Sequence, residues 1–107
     1  MGTNIVIGVF FMKISNNGFG AYDIRGIYPE DVNEELAYRI GRSFPGLFAA
    51  KKVAVGHDIR LSGPSIRDAL VKGLTESGCD VVDIGECGTE MIYFTTAHLK
   101  LDGGIMI

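Results

Sequence analysis

A chain of 107 residues has the length of one domain, and 47% apolar with 21% charged residues is globular composition rather than disordered or fibrous. The formal net charge of −3 and the lack of a dense Lys/Arg cluster argue against nucleic acid as a partner. Cys79 and Cys87 are too few and too widely spaced for a zinc knuckle, and His57 and His98 make no ligand pair by spacing, so reduced cytosolic thiols and no protein-built metal site are expected.

The first element is the apolar run Ile5 to Phe11. It is far shorter than the roughly 20 residues of a membrane helix. It also lacks a basic leader and a clear small-residue cleavage site, so neither a membrane partner nor a secretory signal is expected. The run reads as an added edge strand, or as an extension ahead of a second start at Met12. Residues 1–18 are therefore set apart as an N-terminal extension and residues 19–107 as the domain. Ser15-Asn16-Asn17-Gly18 supplies the turn between them.

Ala21-Tyr22-Asp23-Ile24-Arg25-Gly26 follows as a strand. Alternation puts Asp23 and Arg25 on one face, and Gly26 allows the backbone to turn. An arginine beside a carboxylate at a strand end can be a structural ion pair, or it can grip a phosphate through its planar fork of donors. The triplet Asp-Ile-Arg recurs at Asp58-Ile59-Arg60, again after a strand-like run.

The pattern then turns helical. Asn33 can cap a first turn containing Glu34 and Glu35, Leu36, Ile40 and Phe44 form an apolar stripe, and Pro45-Gly46 is expected to end or kink the helix. Val53-Ala54-Val55 reads as a buried strand closed by Gly56, with the loop from His57 to Ser62 at its carboxyl end. Ser62 and Pro64 mark a second helix with Ile66, Ala69, Leu70, Gly73 and Leu74 on its buried face and Gly78 as its stop. Val81 to Gly85 is a strand, Thr89 is placed to cap a third helix carrying Ile92, Tyr93, Phe94 and Leu99, and the residues from Asp102 to Ile107 begin another strand.

Strands alternating with helices predict an α/β fold: three α/β/α layers around a small, mainly parallel sheet, with ligands at the carboxyl ends of the strands. That rule puts the loop from Gly56 to Arg60 at the functional edge. A nucleotide-binding domain is disfavoured, because neither a G-x-G-x-x-G turn after a strand nor a G-x-x-x-x-G-K loop is present.

Taken together, Phe19-Gly20-Ala21-Tyr22-Asp23-Ile24-Arg25-Gly26, Gly56-His57-Asp58-Ile59-Arg60, Gly85-Glu86-Cys87-Gly88-Thr89-Glu90, Ile92-Tyr93-Phe94 and Asp102-Gly103-Gly104-Ile105 resemble the first domain of the phosphohexomutase superfamily, most closely its bacterial phosphomannomutase/phosphoglucomutase branch. The resemblance implies that residues 19–107 are an incomplete first domain of an enzyme interconverting hexose 6-phosphate and hexose 1-phosphate, mannose foremost, through a phosphoserine and with Mg2+. It implies that Arg25 contacts the transferring phosphoryl with Tyr22 beside it, while Asp58 and Arg60 brace the loops. Cys87-Gly88-Thr89-Glu90 is similar to a phosphate loop of the family's last domain, but Thr89 is read here as a helix cap. The family's Thr-Ala-Ser-His-Asn-Pro loop and Asp-Gly-Asp metal loop are not among these residues. The expectation is therefore a cytoplasmic fragment without catalytic residues, metal ligands or turnover of its own. The alternative is a non-catalytic module that binds an anion or a protein, with dimerisation or aggregation through an exposed sheet edge.

Overall fold

The computed structural model describes residues 3–12, 19–57 and 63–107. Asp58 and Arg60, the turn at residues 15–18 and the proposed cap Ser62 lie outside the described residues. In chain order the elements are β1 (Thr3–Met12), β2 (Phe19–Tyr28), α1 (Glu34–Phe48), β3 (Lys52–His57), α2 (Gly63–Glu76), β4 (Asp80–Glu86), α3 (Thr89–His98) and β5 (Gly103–Met106).

The strands form one sheet in the order β2-β1-β5-β3-β4. β3 pairs in parallel with both β4 and β5, whereas β1 is antiparallel to both β2 and β5. Four strands therefore run one way and β1 runs against them, which makes the sheet mixed but mainly parallel in direction. The apolar N-terminal run is not an edge strand, as the sequence suggested, but the second strand of the sheet. The physical reason is visible in its composition: no charge or proline between Ile5 and Phe11 blocks pairing on either side. Ile7 and Val9 are buried on one face with Ile105, Ile107, Val53 and Val55.

That face is covered by α1 and α2. Ile66, Leu70 and Leu74 of α2 are fully buried, and so is Ala37 of α1, with Phe44 nearly so. Leu36 and Ile40 pack at the margin. The two helices approach closely through a glycine pair. A Cβ on Gly41 would lie 2.4 Å from the Leu70 carbonyl oxygen, and one on Gly73 would lie 2.3 Å from that of Tyr38. Around this contact Arg42 Nη1 donates to the Glu76 carbonyl (3.0 Å), Ser77 Oγ donates to the Arg42 carbonyl (3.0 Å), and Tyr38 Oη donates to the Glu76 carboxylate.

α3 covers the opposite face, over β3 and β5. Its fully buried Ile92 and nearly buried Thr96 lie on strand positions without side chains: a Cβ on Gly104 would come within 2.5 Å of Ile92 Cγ2 and 2.9 Å of Thr96 Oγ1.

Three local expectations change. α1 does not end at Pro45 but runs through it to Phe48, because a proline near the last turn forfeits only one helical bond. Phe44 and Phe48 pack 4.8 Å apart across that turn, and Ala50 N–H closes it on the Pro45 carbonyl (3.1 Å). Thr89 is the first residue of α3 rather than its cap, since Gly88, in extended conformation, takes the cap position. Leu99 falls just past the end of α3. By contrast Asn33 caps α1 as read, its Oδ1 accepting from Leu36 N–H (2.9 Å), and Gly78 takes the left-handed conformation with φ 82°.

Candidate functional site

The pairing register places Arg25 in the sheet. Gly8 of β1 stands opposite Asp23 of β2 on one side and Met106 of β5 on the other. Since β2 and β5 run the same way, Arg25, two residues after Asp23 and opposite Val6, lies past the level of Ile107 at the carboxyl edge. It is two strand spacings, about 10 Å, to the side of β5. Gly56 is in register with Met106, so His57 comes to the same edge at the end of β3, and Glu86 reaches it at the end of β4. Arg25, Ile107, His57 and Glu86 thus line one rim of the sheet, where ligands of such folds collect.

On β2 the ion pair foreseen in the sequence is present: Arg25 Nη2 lies 3.2 Å from Asp23 Oδ2. Their side chains are 73% and 46% exposed, so the pair contributes no more than about 1 kcal/mol to stability. Among the described residues Asp23 is the partner Arg25 has, and a guanidinium carries five donors. The arrangement orients the fork without using it up. Tyr22 stands in β2 opposite Val9, one register step from Asp23.

Gly26 serves a different purpose from the one first read. β2 continues through it to Tyr28, and the turn comes afterwards, folding Asp31 and Val32 back against the strand. A Cβ at Gly26 would lie 2.3 Å from Asp31 Cβ, so the missing side chain makes room for that turn. Ile27 N–H donates to Asp31 Oδ2 (3.0 Å), and Asp31 N–H donates to the Ile27 carbonyl (2.7 Å). Asn33 Nδ2 donates to the Pro29 carbonyl (3.0 Å), and Tyr28 Oη donates to Glu34 Oε2 (2.7 Å). This hydrogen bond lowers the Glu34 carboxyl below its ordinary range and raises the Tyr28 hydroxyl above its own. The end of the arginine strand is thereby fastened to the start of α1.

Two supports of the rim escaped sequence reasoning. Arg67, on α2, is only 22% exposed; its Nη1 donates to Asp83 Oδ2 of β4 at 2.6 Å, and its Nε is 2.8 Å from Asp68 Oδ1, within ion-pair reach but without hydrogen-bond alignment. This ties the first half of α2 to β4, but an Arg-Asp step in a helix gives no signal of it in sequence. The second is a bulge in β4: Val55 pairs with Asp83 and Gly56 with Gly85, which leaves Ile84 as the extra residue and Gly85 at φ 72°. The bulge brings Cys87 N–H onto the His57 carbonyl (2.9 Å) and sets Sγ against Gly56, where a Cβ would lie 2.6 Å from it. Burial, with Asp83 adding to it, pushes the Cys87 thiol up, which disfavours the thiolate.

No group of three or more His, Cys, Asp and Glu among the described residues could hold a metal ion, and Asp23, the carboxylate beside Arg25, is already engaged by it. No helix among the described residues is long and apolar enough to cross a membrane.

Comparison with known proteins bears on the family and the fold. The family model described as phosphoglucomutase/phosphomannomutase, alpha/beta/alpha domain I, matches residues 16–107. Over 89 residues the chain is 51% identical to "Phosphohexose mutases" of Xanthomonas campestris pv. campestris (strain B100), a match covering 83% of this chain and 20% of that one. It is 52% identical to a phosphomannomutase of Klebsiella pneumoniae, covering 83% of this chain and 57% of the relative. Among solved structures, a phosphoglucomutase/phosphomannomutase family protein from Burkholderia thailandensis superimposes with a TM-score of 0.67 at 40% identity, over 70% of this chain and 17% of that one. The chain thus spans about a fifth of the length of most of the relatives it matches.

Proposed function

Because the chain belongs to the phosphoglucomutase/phosphomannomutase family, we propose that its carboxyl rim is the phosphate-gripping wall of a hexose phosphate mutase, with Arg25 as the residue that meets the phosphoryl group. The observation that carries this reading is the register: an exposed arginine, oriented by Asp23, stands past the end of β5 on the rim where α/β sheets bind ligands. A guanidinium there can take two phosphoryl oxygens at once and offset their charge without a proton transfer. Tyr22 stands next to Asp23 on the same strand, and Asp58 and Arg60 would brace the following loop. The substrate would be a hexose phosphate, mannose foremost, in a cytoplasmic enzyme.

Residues 1–107 include neither the family's serine loop nor its metal loop. By themselves these residues would bind phosphate and transfer none.

The test is a titration of the chain with inorganic phosphate, followed by backbone amide shifts. Saturable shifts are expected at Asp23, Arg25 and Ile107, and in Arg25→Ala they should be lost or weakened about tenfold, the loss of a charge-assisted hydrogen bond of roughly 1.5 kcal/mol or more. Unchanged shifts in Arg25→Ala would return Arg25 to a purely structural role.

A further inference from the structure

β1 is the one strand of the sheet that lies wholly outside the family match, which begins at residue 16, yet it stands between β2 and β5. All ten of its residues are in register with β2, from Thr3 opposite Tyr28 to Met12 opposite Phe19, and four of them, Gly8 to Phe11, are also in register with β5. Among the described residues β2 has no other neighbour in the sheet. Within the family-matched residues, then, the strand that carries Asp23 and Arg25 is separated from the rest of the sheet by a gap one strand wide.

The gap has a defined chemistry. Its two walls run in the same direction, so one antiparallel strand can bond both at once. One face demands apolar side chains: Ile7 and Val9 are buried there with Ile105, and Ile24 packs against the same cluster. At the central register position the chain places Gly8, between Asp23 and Met106.

We propose that the space between β2 and β5 is a strand-acceptor site, filled in this chain by its own Thr3–Met12 and open to the same strand of a second copy. The segment that fills it makes the arginine strand part of the sheet, and so positions the rim. Nothing in the pairing requires the strand and its acceptor to belong to one chain: the ladder bonds are main-chain bonds, and Ile7 and Val9 are held by apolar packing, as in strand addition generally.

The experiment uses the full chain with Ile7→Asp and Val9→Asp, which puts two charges into the buried face and expels its own β1. To this variant is added a fluorescent peptide of residues 3–12, with the doubly substituted peptide as control. Peptide binding by anisotropy, together with restored hydrogen-exchange protection of the β2 amides, is expected whether the variant alone is folded or not; in the second case the peptide restores the fold. The unsubstituted chain, its site already occupied, should bind the peptide at least about tenfold more weakly. No difference between native and control peptides, or a folded variant whose β2 amides are protected without peptide because β2 has closed onto β5, would overturn the proposal. The readout does not involve phosphate, so it stands or falls apart from the function proposed above.

Discussion

At the scale of single residues, Tyr28 and Glu34 decide how firmly the arginine strand is held. Their hydrogen bond needs a protonated phenol and an ionised carboxylate. Glu34 is lowered from its ordinary 4.5, so its contribution is complete above that value and fades as pH falls through the lower folded value. Tyr28 is raised from its ordinary 10.0, so its contribution is complete below that value and fades as pH rises through the higher folded one. Tyr28→Phe should therefore be less stable than the parent at pH 7, and the gap between the two urea midpoints should shrink at pH 3. Cys87 makes a second prediction at this scale. With its thiol pushed up by burial, it should react with iodoacetamide at pH 7.5 more slowly than an unhindered thiol, and recover ordinary reactivity in denaturant. Of the single residues, Asn33 and Gly78 could be read directly, since a cap and a left-handed stop are local. The purposes of Gly26 and Cys87 could not, because each is set by an atom that the sequence does not show to be near: Asp31 Cβ against one, Gly56 against the other.

Between elements, the closest contact is the crossing of α1 and α2 at Gly41 and Gly73. A methyl group at either position meets backbone rather than a flexible side chain, so the helices must move apart. Gly73→Ala should cost about 1–3 kcal/mol by denaturant unfolding, within the range for overpacking. Gly46 is the built-in control, since nothing lies within 4 Å of a Cβ there and its helix would gain about 0.5–1 kcal/mol from alanine. If both substitutions changed stability alike, the close crossing would not be the cause. Periodicity exposed the buried stripe of α2 from Ile66 to Leu74, because a helix face repeats within a few residues. It did not show that α1 buries Ala37 and Gly41 ahead of Leu36 and Ile40, since which side of the stripe is closest depends on the partner helix. The extension of α1 past Pro45 likewise depends on Phe48 finding Phe44.

For the molecule as a whole, alternation of strands and helices was enough to imply three layers and a mainly parallel sheet, and the carboxyl-end rule was enough to choose the rim. The order of the strands was not available from the same reasoning. Ile7 and Val9 show the period of a half-buried strand, but that period is the same at an edge and in the interior. Only the pairing partners distinguish the two, and those of β1 are distant in the chain. The sequence therefore identified Arg25 and Asp23 as a pair and put the loop from Gly56 to Arg60 at the same edge, but left open how the strand ends line up with one another. In the structure the rim extends through Ile107 to His57 and Glu86, residues brought to one line by register alone.

The pairing of Gly8 with Met106 joins residues 98 positions apart. During synthesis β1 is made well before its neighbour β5, so at roughly 5–20 residues per second some 5–20 seconds pass before the two can pair. Through that interval β1 has only β2 to hold it, and a two-stranded hairpin is marginal in water. A nascent chain thus carries an uncharged, β-forming segment before the strand that will shelter its other side exists. Chains crowded along one message would present that segment to one another at the moment when it has an empty side, and the first productive event in the life of this fold is a wait.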